Sequence, residues 1–170
     1  MNLHFKENRY NWGDSFYVLD EDNQRKYRVR SSILLWNRKW EVRDLDKNLL
    51  ILIKKEPRSL LKKKYHVLVN DEEIATVTKE LSLIPKFTIE GLNWEIQSPA
   101  LNTNALLTGE YRILEAGREI LNFQIESTDW GLRPVLHIES DADELRALAV
   151  AMTISYVMTA KEGQSSTNHL

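Results

Sequence analysis

The sequence predicts a mainly β protein, a closed antiparallel barrel of about twelve strands around one central, buried C-terminal apolar helix. Three observations carry this expectation. Short strand-like triplets recur about every 24 residues. Turn-forming Asp, Asn and Gly residues fall between them. After residue 143 the period-two pattern gives way to fourteen successive uncharged residues, Ala147 to Ala160.

The triplets are Phe16-Tyr17-Val18, Trp40-Glu41-Val42, Tyr65-His66-Val67, Phe87-Thr88-Ile89, Tyr111-Arg112-Ile113 and Leu136-His137-Ile138. Their third positions are spaced 24, 25, 22, 24 and 25 residues apart. Each begins with an aromatic or apolar residue and ends with a β-branched one, so both apolar side chains share a face of a strand. A second strand candidate lies between successive triplets: Tyr27-Arg28-Val29, Leu50 to Ile53, Ile74 to Val77, Trp94-Glu95-Ile96 and Leu121 to Ile125. Asp20 to Asn23, Asp44 to Asn48, Asn70-Asp71-Glu72 and Glu115-Ala116-Gly117 sit where hairpins must reverse. Asp and Asn supply local hydrogen bonds there, and with Gly they tolerate positive φ. Two strands per repeat give eleven or twelve, the spacing of an all-β sandwich or barrel. Ser98 to Thr108 is polar and poorly patterned, which predicts a longer loop or a weak edge strand.

The helix is expected over about 143–161. Ser140 with Asp143, or Asp141 with Glu144, offers a capping pair, and the acids suit the positive end of the dipole. Lys161 suits the last turn and Gly163 the stop. The helix is apolar all round, which requires burial. A membrane span needs about 20 mostly apolar residues. The uncharged run is shorter and contains Thr153, Ser155 and Thr159, whose hydroxyls return to carbonyls one turn earlier. Burial within protein follows, and only a closed barrel surrounds a lone helix on every side. Ala147, Ala149, Ala151 and Ser155 let the wall approach; Leu148, Val150, Met152, Ile154, Tyr156 and Met158 fill the remaining space.

At 170 residues the chain suits a single domain. The expected domain is 1–162, with 163–170 as a disordered tail. The first fifteen residues contain no basic start followed by an apolar run, so no signal peptide is expected. There are no cysteines, which removes disulfides and thiolate chemistry and suits a reducing cytoplasm.

The net charge of −2 hides an asymmetry. Residues 25–64 hold 14 Lys/Arg against four acids, a local +10; the rest of the chain carries −12. The candidate anion-binding residues are Arg38, Lys39, Lys54, Lys55, Arg58, Lys62, Lys63 and Lys64. Apolar tips beside these cations, with Trp36, Leu60 and Leu61 as the candidate membrane contacts, make a footprint for an anionic bilayer. Two blander readings stand beside this one. The lysines serve as a solvated face that discourages sheet-edge pairing, or the apolar tips fold inward and plug the barrel end.

Catalytic patterns are absent from the sequence. The four histidines, His4, His66, His137 and His169, form no His-x-His or His-x-x-x-His pair. His66 and His137 sit out of phase with the core residues and are expected to face outward. No Gly-x-Ser-x-Gly, Gly-x-Gly-x-x-Gly or P-loop occurs. Asp141 to Glu144 reads as a helix start rather than a calcium loop. The expectation is a non-enzyme without metal or cofactor.

The order of these blocks resembles the LURP-one-related family, in its small bacterial branch, and the tubby C-terminal-like fold. The residues carrying the resemblance are Trp12-Gly13-Asp14 with Phe16-Tyr17-Val18, then Tyr27-Arg28-Val29. Lys54-Lys55, Ser59-Leu60-Leu61 and Lys64 to Val67 form a basic, apolar, basic middle. Ile74 to Glu80 and the helix from Leu145 to Val157 complete it. The resemblance implies a barrel closed around the C-terminal helix. Tubby proteins, more distantly similar, bind phosphoinositides through a basic surface. Phospholipid scramblases, also similar in fold, associate with membranes and calcium. Neither set of ligand-binding residues maps onto positions here.

Three functions fit. The first is a non-enzymatic, peripheral lipid- or phosphoanion-binding module, cytoplasmic and at the membrane inner face, taking anionic phospholipid or phosphoinositide-like head groups. The second is an interaction or regulatory scaffold that offers its basic face to an acidic protein partner. The third is nucleic-acid binding with Trp36, Trp40 and Tyr65 stacking on bases; the −12 elsewhere weakens it.

Overall fold

The computed structural model describes residues 1–6, 15–34, 37–57, 62–80, 86–97, 110–128 and 131–157. Within these, all eleven strand candidates form strands, and a twelfth precedes them. They are β1 (Asn2–Phe5), β2 (Ser15–Leu19), β3 (Arg25–Leu34), β4 (Asn37–Arg43), β5 (Leu49–Lys55) and β6 (Lys62–Val69). Then follow β7 (Glu72–Glu80), β8 (Lys86–Glu90), β9 (Trp94–Gln97), β10 (Tyr111–Glu115), β11 (Arg118–Thr128) and β12 (Gly131–Ile138). They pair antiparallel in one sheet, in the order β8-β7-β6-β5-β4-β3-β2-β1-β12-β11-β10-β9. The two end strands, β8 and β9, touch, so the barrel is nearly closed.

The unforeseen strand is the one that joins the two halves. β1 pairs with β12 through Asn2↔His137 and Leu3↔Leu136, and with β2 through Phe5↔Val18. Leu3 and Phe5 are buried between half-buried Asn2 and His4, the same alternation over a shorter run. Pro134 of β12 lies just beyond the reach of β1, where β12 pairs only with β11. A missing N–H is tolerated on such an unpaired side.

The connections divide between two ends. β2–β3, β4–β5, β6–β7, β8–β9 and β10–β11 reverse through two to five residues at one end, here the hairpin end. Asn70-Asp71 and Ala116-Gly117 each take positive φ at both positions, the geometry of a two-residue hairpin. Asp20 Oδ1 accepts from the backbone N–H groups of Asp22 and Gln24, and Asp44 Oδ1 from that of Asn48. Gly91, between β8 and β9, has φ +97°, and a Cβ there would lie 2.7 Å from the Ile74 carbonyl oxygen. The other ends of the strands make the opposite end of the barrel, the mouth. Residues 98–108 lie outside the described residues.

The core is the barrel interior. Val18, Val29, Val42, Ile51, Ile53, Val67, Val77 and Ile113 are fully buried. The helix α1 (Glu144–Met152) follows a 3-10 turn (Asp141–Asp143) and continues as a π-helical turn (Thr153–Val157). Ala147 to Thr153 and Ile154 are buried on every side. Thr153 Oγ1 donates to the Ala149 carbonyl at 2.8 Å, as its place in an apolar helix requires. The positions expected to end the helix, Lys161 and Gly163, lie outside the described residues, as do Met158, Thr159 and the tail.

Its start differs from expectation. No side-chain cap forms at Ser140 or Asp143. Glu144 instead turns to the wall, where its Oε1 accepts from the Tyr27 hydroxyl and from Lys26 Nζ, both at 2.7 Å. Lys26 and Tyr27 are adjacent and should point to opposite faces. They converge because β3 is bulged: Tyr27 pairs with Val18 and Arg25 with Leu19, leaving Lys26 unmatched. Further along, the buried Tyr111 hydroxyl donates to the Ala151 carbonyl at 3.0 Å and meets the Ser155 hydroxyl at 2.9 Å. Tyr111 also stacks on Phe123, with ring centroids 5.4 Å apart.

Burial pushes both Tyr27 and Tyr111 above the ordinary phenol value of 10.0, and at Tyr27 the Glu144 carboxylate adds to it. Folded, both stay protonated where the unfolded chain ionises. Their stabilisation is complete below pH 10 and should be lost as pH rises past it. Urea unfolding followed by circular dichroism from pH 8 to 11 should show this decline. Tyr111→Phe should cost about 1–2 kcal/mol at pH 8 through its lost hydrogen bonds and flatten the alkaline slope.

Candidate functional site

Strand alternation decides where each basic residue of the middle segment goes. In β4, Trp40 and Val42 are buried, so Arg38 shares the inner phase while Lys39 and Glu41 are outer. In β5, Ile51 and Ile53 are buried, so Lys55 is inner and Lys54 outer. In β6, Tyr65 and Val67 are buried, so Lys63 is inner; Lys62, Lys64 and His66 are outer. Consecutive lysines on a strand cannot share a face. The basic segment is therefore divided between two faces.

Register reunites part of it. Lys39 is opposite Lys54, and Lys54 is opposite His66, a row across three strands. This row lies near the mouth, where β5 leaves the sheet. A cavity of about 550 Å³ there is lined by Arg38, Lys39, Lys54, Lys55, Glu56, Pro57 and His66. It takes residues of both phases because it wraps the end of the strand. Four of the candidate cations meet in it. Lys62, Lys63 and Lys64 are not among its lining: Lys62 ion-pairs with its cross-strand neighbour Glu80 at 3.4 Å, and Lys64 faces Thr78 in register. Arg58, Trp36, Leu60 and Leu61 lie outside the described residues, and with them the choice between inward plugs and outward tips.

The cations in the cavity are held differently. Lys39 Nζ is 3.1 Å from Glu41 Oε1, and Glu41 Oε2 is 2.9 Å from Arg43 Nη2. Burial would raise the Glu41 carboxyl, but the hydrogen bonds from Arg43 and Lys39 outweigh it and keep it below its usual range. Lys54 is exposed. Arg38 has its Cζ 5.0 Å from the centroid of the Trp40 ring, and that ring meets Tyr65 edge-on at 6.5 Å. Arg38 Nε is shielded from solvent and has no hydrogen-bond partner among the described residues.

His66 is a component that sequence reasoning placed outward without its partners. Its Nδ1 is 2.8 Å from Glu73 Oε1 and its Nε2 is 3.6 Å from Glu56 Oε2. The hydrogen bond with His66 holds the Glu73 carboxyl below its usual range against a small effect of burial, with help from Thr76 and the Lys54 charge. Nothing local in the sequence marks these pairs, because they join β6 to β7 and to the end of β5.

The hairpin end has the opposite character. Asp20, Glu21, Asp22 and Asp141 line a groove of about 410 Å³ with Lys26 and the first three residues. Asp44, Asp46 and Asp71 occupy other turns at that end. The sequence asymmetry thus becomes an axial one, with acids at the hairpins and cations clustered toward the mouth. Among the described residues no helix is long and apolar enough to cross a membrane, and no three His, Cys, Asp or Glu residues are arranged to hold a metal ion.

Comparison with known proteins adds three findings. The family model described as LURP-one-related matches residues 1–156. A Bacillus subtilis (strain 168) protein, "Uncharacterized protein YxjI", is 25% identical over 164 residues, which is 96% of this chain and 97% of that protein. A crystal structure of an Arabidopsis thaliana protein is similar with a TM-score of 0.49 and 9% identity, over 89% of this chain and 87% of that one.

The His66–Glu73 pairing has a direct test. Carboxyl-carbon NMR titration should give Glu73 a midpoint below 4.5, the ordinary value for a glutamate. His66→Ala should move that midpoint upward. An unmoved midpoint would show that another group holds the carboxylate.

Proposed function

The chain belongs to the LURP-one-related family, and from that premise we propose that it is a non-enzymatic module that binds phosphate-bearing anions at an anionic membrane surface. The observation that carries this reading is the mouth cavity, where four cations meet a single carboxylate, Glu56. The axial charge asymmetry supports it. A molecule with an acidic far end and a basic near end turns its basic end toward an anionic surface as it approaches. On this reading the protein is cytoplasmic and peripheral, at the inner face of the membrane.

Magnitudes set the mode of binding. A Lys or Arg near an anionic surface contributes about 1 kcal/mol. Four contribute about 4 kcal/mol, which corresponds to roughly millimolar affinity. Binding of this kind is reversible and salt-sensitive, and becomes firm only when a specific head-group contact or apolar insertion adds to it.

Liposome flotation tests the reading. The protein should float with vesicles containing anionic lipid at low salt, less so at high salt, and not with neutral vesicles. A Lys39→Ala, Lys54→Ala double variant should lose flotation with stability within about 0.5 kcal/mol of the parent. The Lys62→Ala, Lys63→Ala, Lys64→Ala triple variant, outside the cavity, should lose less. No flotation with anionic vesicles at low salt overturns the membrane reading and turns the search toward an acidic protein partner.

A further inference from the structure

The cavity holds one group whose chemistry is incomplete. Arg38 is a guanidinium with five N–H donors and no acceptor of its own. Its Nε is shielded from water and has no partner among the described residues, a costly condition for a buried donor. Three acids of this region are paired with other groups: Glu41 with Arg43 and Lys39, and Glu56 and Glu73 with His66. Trp40 supports the guanidinium face at 5.0 Å. That contact restricts its plane and leaves its N–H edge to find an acceptor elsewhere.

We propose that Arg38 is the coordinating residue of a discrete oxyanion subsite in this cavity, and that the subsite takes the dianionic phosphate of a phosphomonoester. The inference deepens the anion-binding reading, since both use the same cavity. The planar fork of Arg matches two phosphate oxygens at once, which a lysine cannot do. Charge selects the monoester. The four Lys/Arg side chains and the one carboxylate of the lining sum to a formal +3. A dianion offsets more of that than a diester or a carboxylate does, and it offers three terminal oxygens to the fork and the lysines. The cavity, at about 550 Å³, exceeds the size of a phosphate ion and leaves room for the organic part. On this proposal the guanidinium edge turns toward the phosphate when it binds.

The same chemistry could arrive as a soluble phosphate or as a lipid head group, and the test separates them. Calorimetric titration at constant ionic strength would use inorganic phosphate, glycerol 3-phosphate, dimethyl phosphate and acetate. The two phosphates should bind saturably, and dimethyl phosphate and acetate at least tenfold more weakly. Arg38→Lys, which keeps the charge and loses the fork, should weaken phosphate binding about tenfold with its melting temperature unchanged. Glu56→Gln, which removes the one lining carboxylate, should tighten it. Absence of saturable phosphate binding, or Arg38→Lys binding like the parent, overturns the subsite. Flotation with vesicles containing phosphatidic acid, compared with phosphatidylglycerol, supplies the lipid arm. If phosphate binds through Arg38 and neither vesicle does, the subsite stands and the membrane reading falls. If both vesicles bind equally and phosphate does not, the membrane reading stands and the subsite falls.

Discussion

The structure depends on enclosing one helix that has no polar face. Leu148, Val150, Met152 and Ile154 point in different directions from α1 and its π-helical extension, and all are buried. Exposing a side chain of this kind costs about 1.5–3 kcal/mol, so the four together are comparable with the entire stability of a domain. No single layer of sheet covers such a helix. A sheet that curls round it does, and the inner residues of each strand follow from that demand. The alanines at 147, 149 and 151 bring the wall close, and the larger residues between them fill the space. Tyr27 and Tyr111 then serve the few polar groups that enclosure would otherwise strand, Glu144 at one end and the Ala151 carbonyl at the other.

Enclosure also produces a barrel with two ends of different character. An up-and-down barrel places alternate connections at opposite ends. Here the short turns carry Asp and Asn because those residues stabilise reversals, and the acids collect there as a consequence. Arg38, Lys39, Lys54, Lys55 and Lys62 to Lys64 lie at the other ends of β4, β5 and β6. The axial asymmetry thus grows from turn chemistry at one end and strand-end lysines at the other. Neither feature costs the core anything, since the charged groups on the wall are outer-phase or sit where the strands leave the sheet.

Within the mouth, position rather than number of charges distinguishes the residues. Lys62, Lys63 and Lys64 form the densest basic run that follows the apolar tip, yet alternation splits them and none lines the cavity. Arg38, isolated in the sequence from that run, stands with Lys39, Lys54 and Lys55 because β4 and β5 are neighbours. Trp40, a core residue by its burial, reaches the site by supporting the Arg38 guanidinium. His66 joins acids from two other segments. The site is a product of register, in which residues some 15 to 30 positions apart become neighbours.

Much of the architecture was legible because its signals are local. A residue's phase on a strand, the turn chemistry of Asn70-Asp71 and the absence of charge from Ala147 to Ala160 are each contained in a few neighbouring positions. They specified eleven strands, their hairpins and the buried helix. β1 escaped notice because four residues carry too short an alternation to stand out, and its role appears only when β12 is beside it. The helix start escaped for a related reason. Glu144 had a local partner available for capping, but a bulge in β3 brought Lys26 and Tyr27 to it instead. The sequence by itself also determined that a basic segment exists. Only the tertiary structure decided which of its cations share a cavity, which are paired with acids, and that the buried Nε of Arg38 has no partner among the described residues. Side-chain phase is set by adjacent residues, whereas charge pairing is set by register between strands, and register exists only once the barrel has closed around its helix.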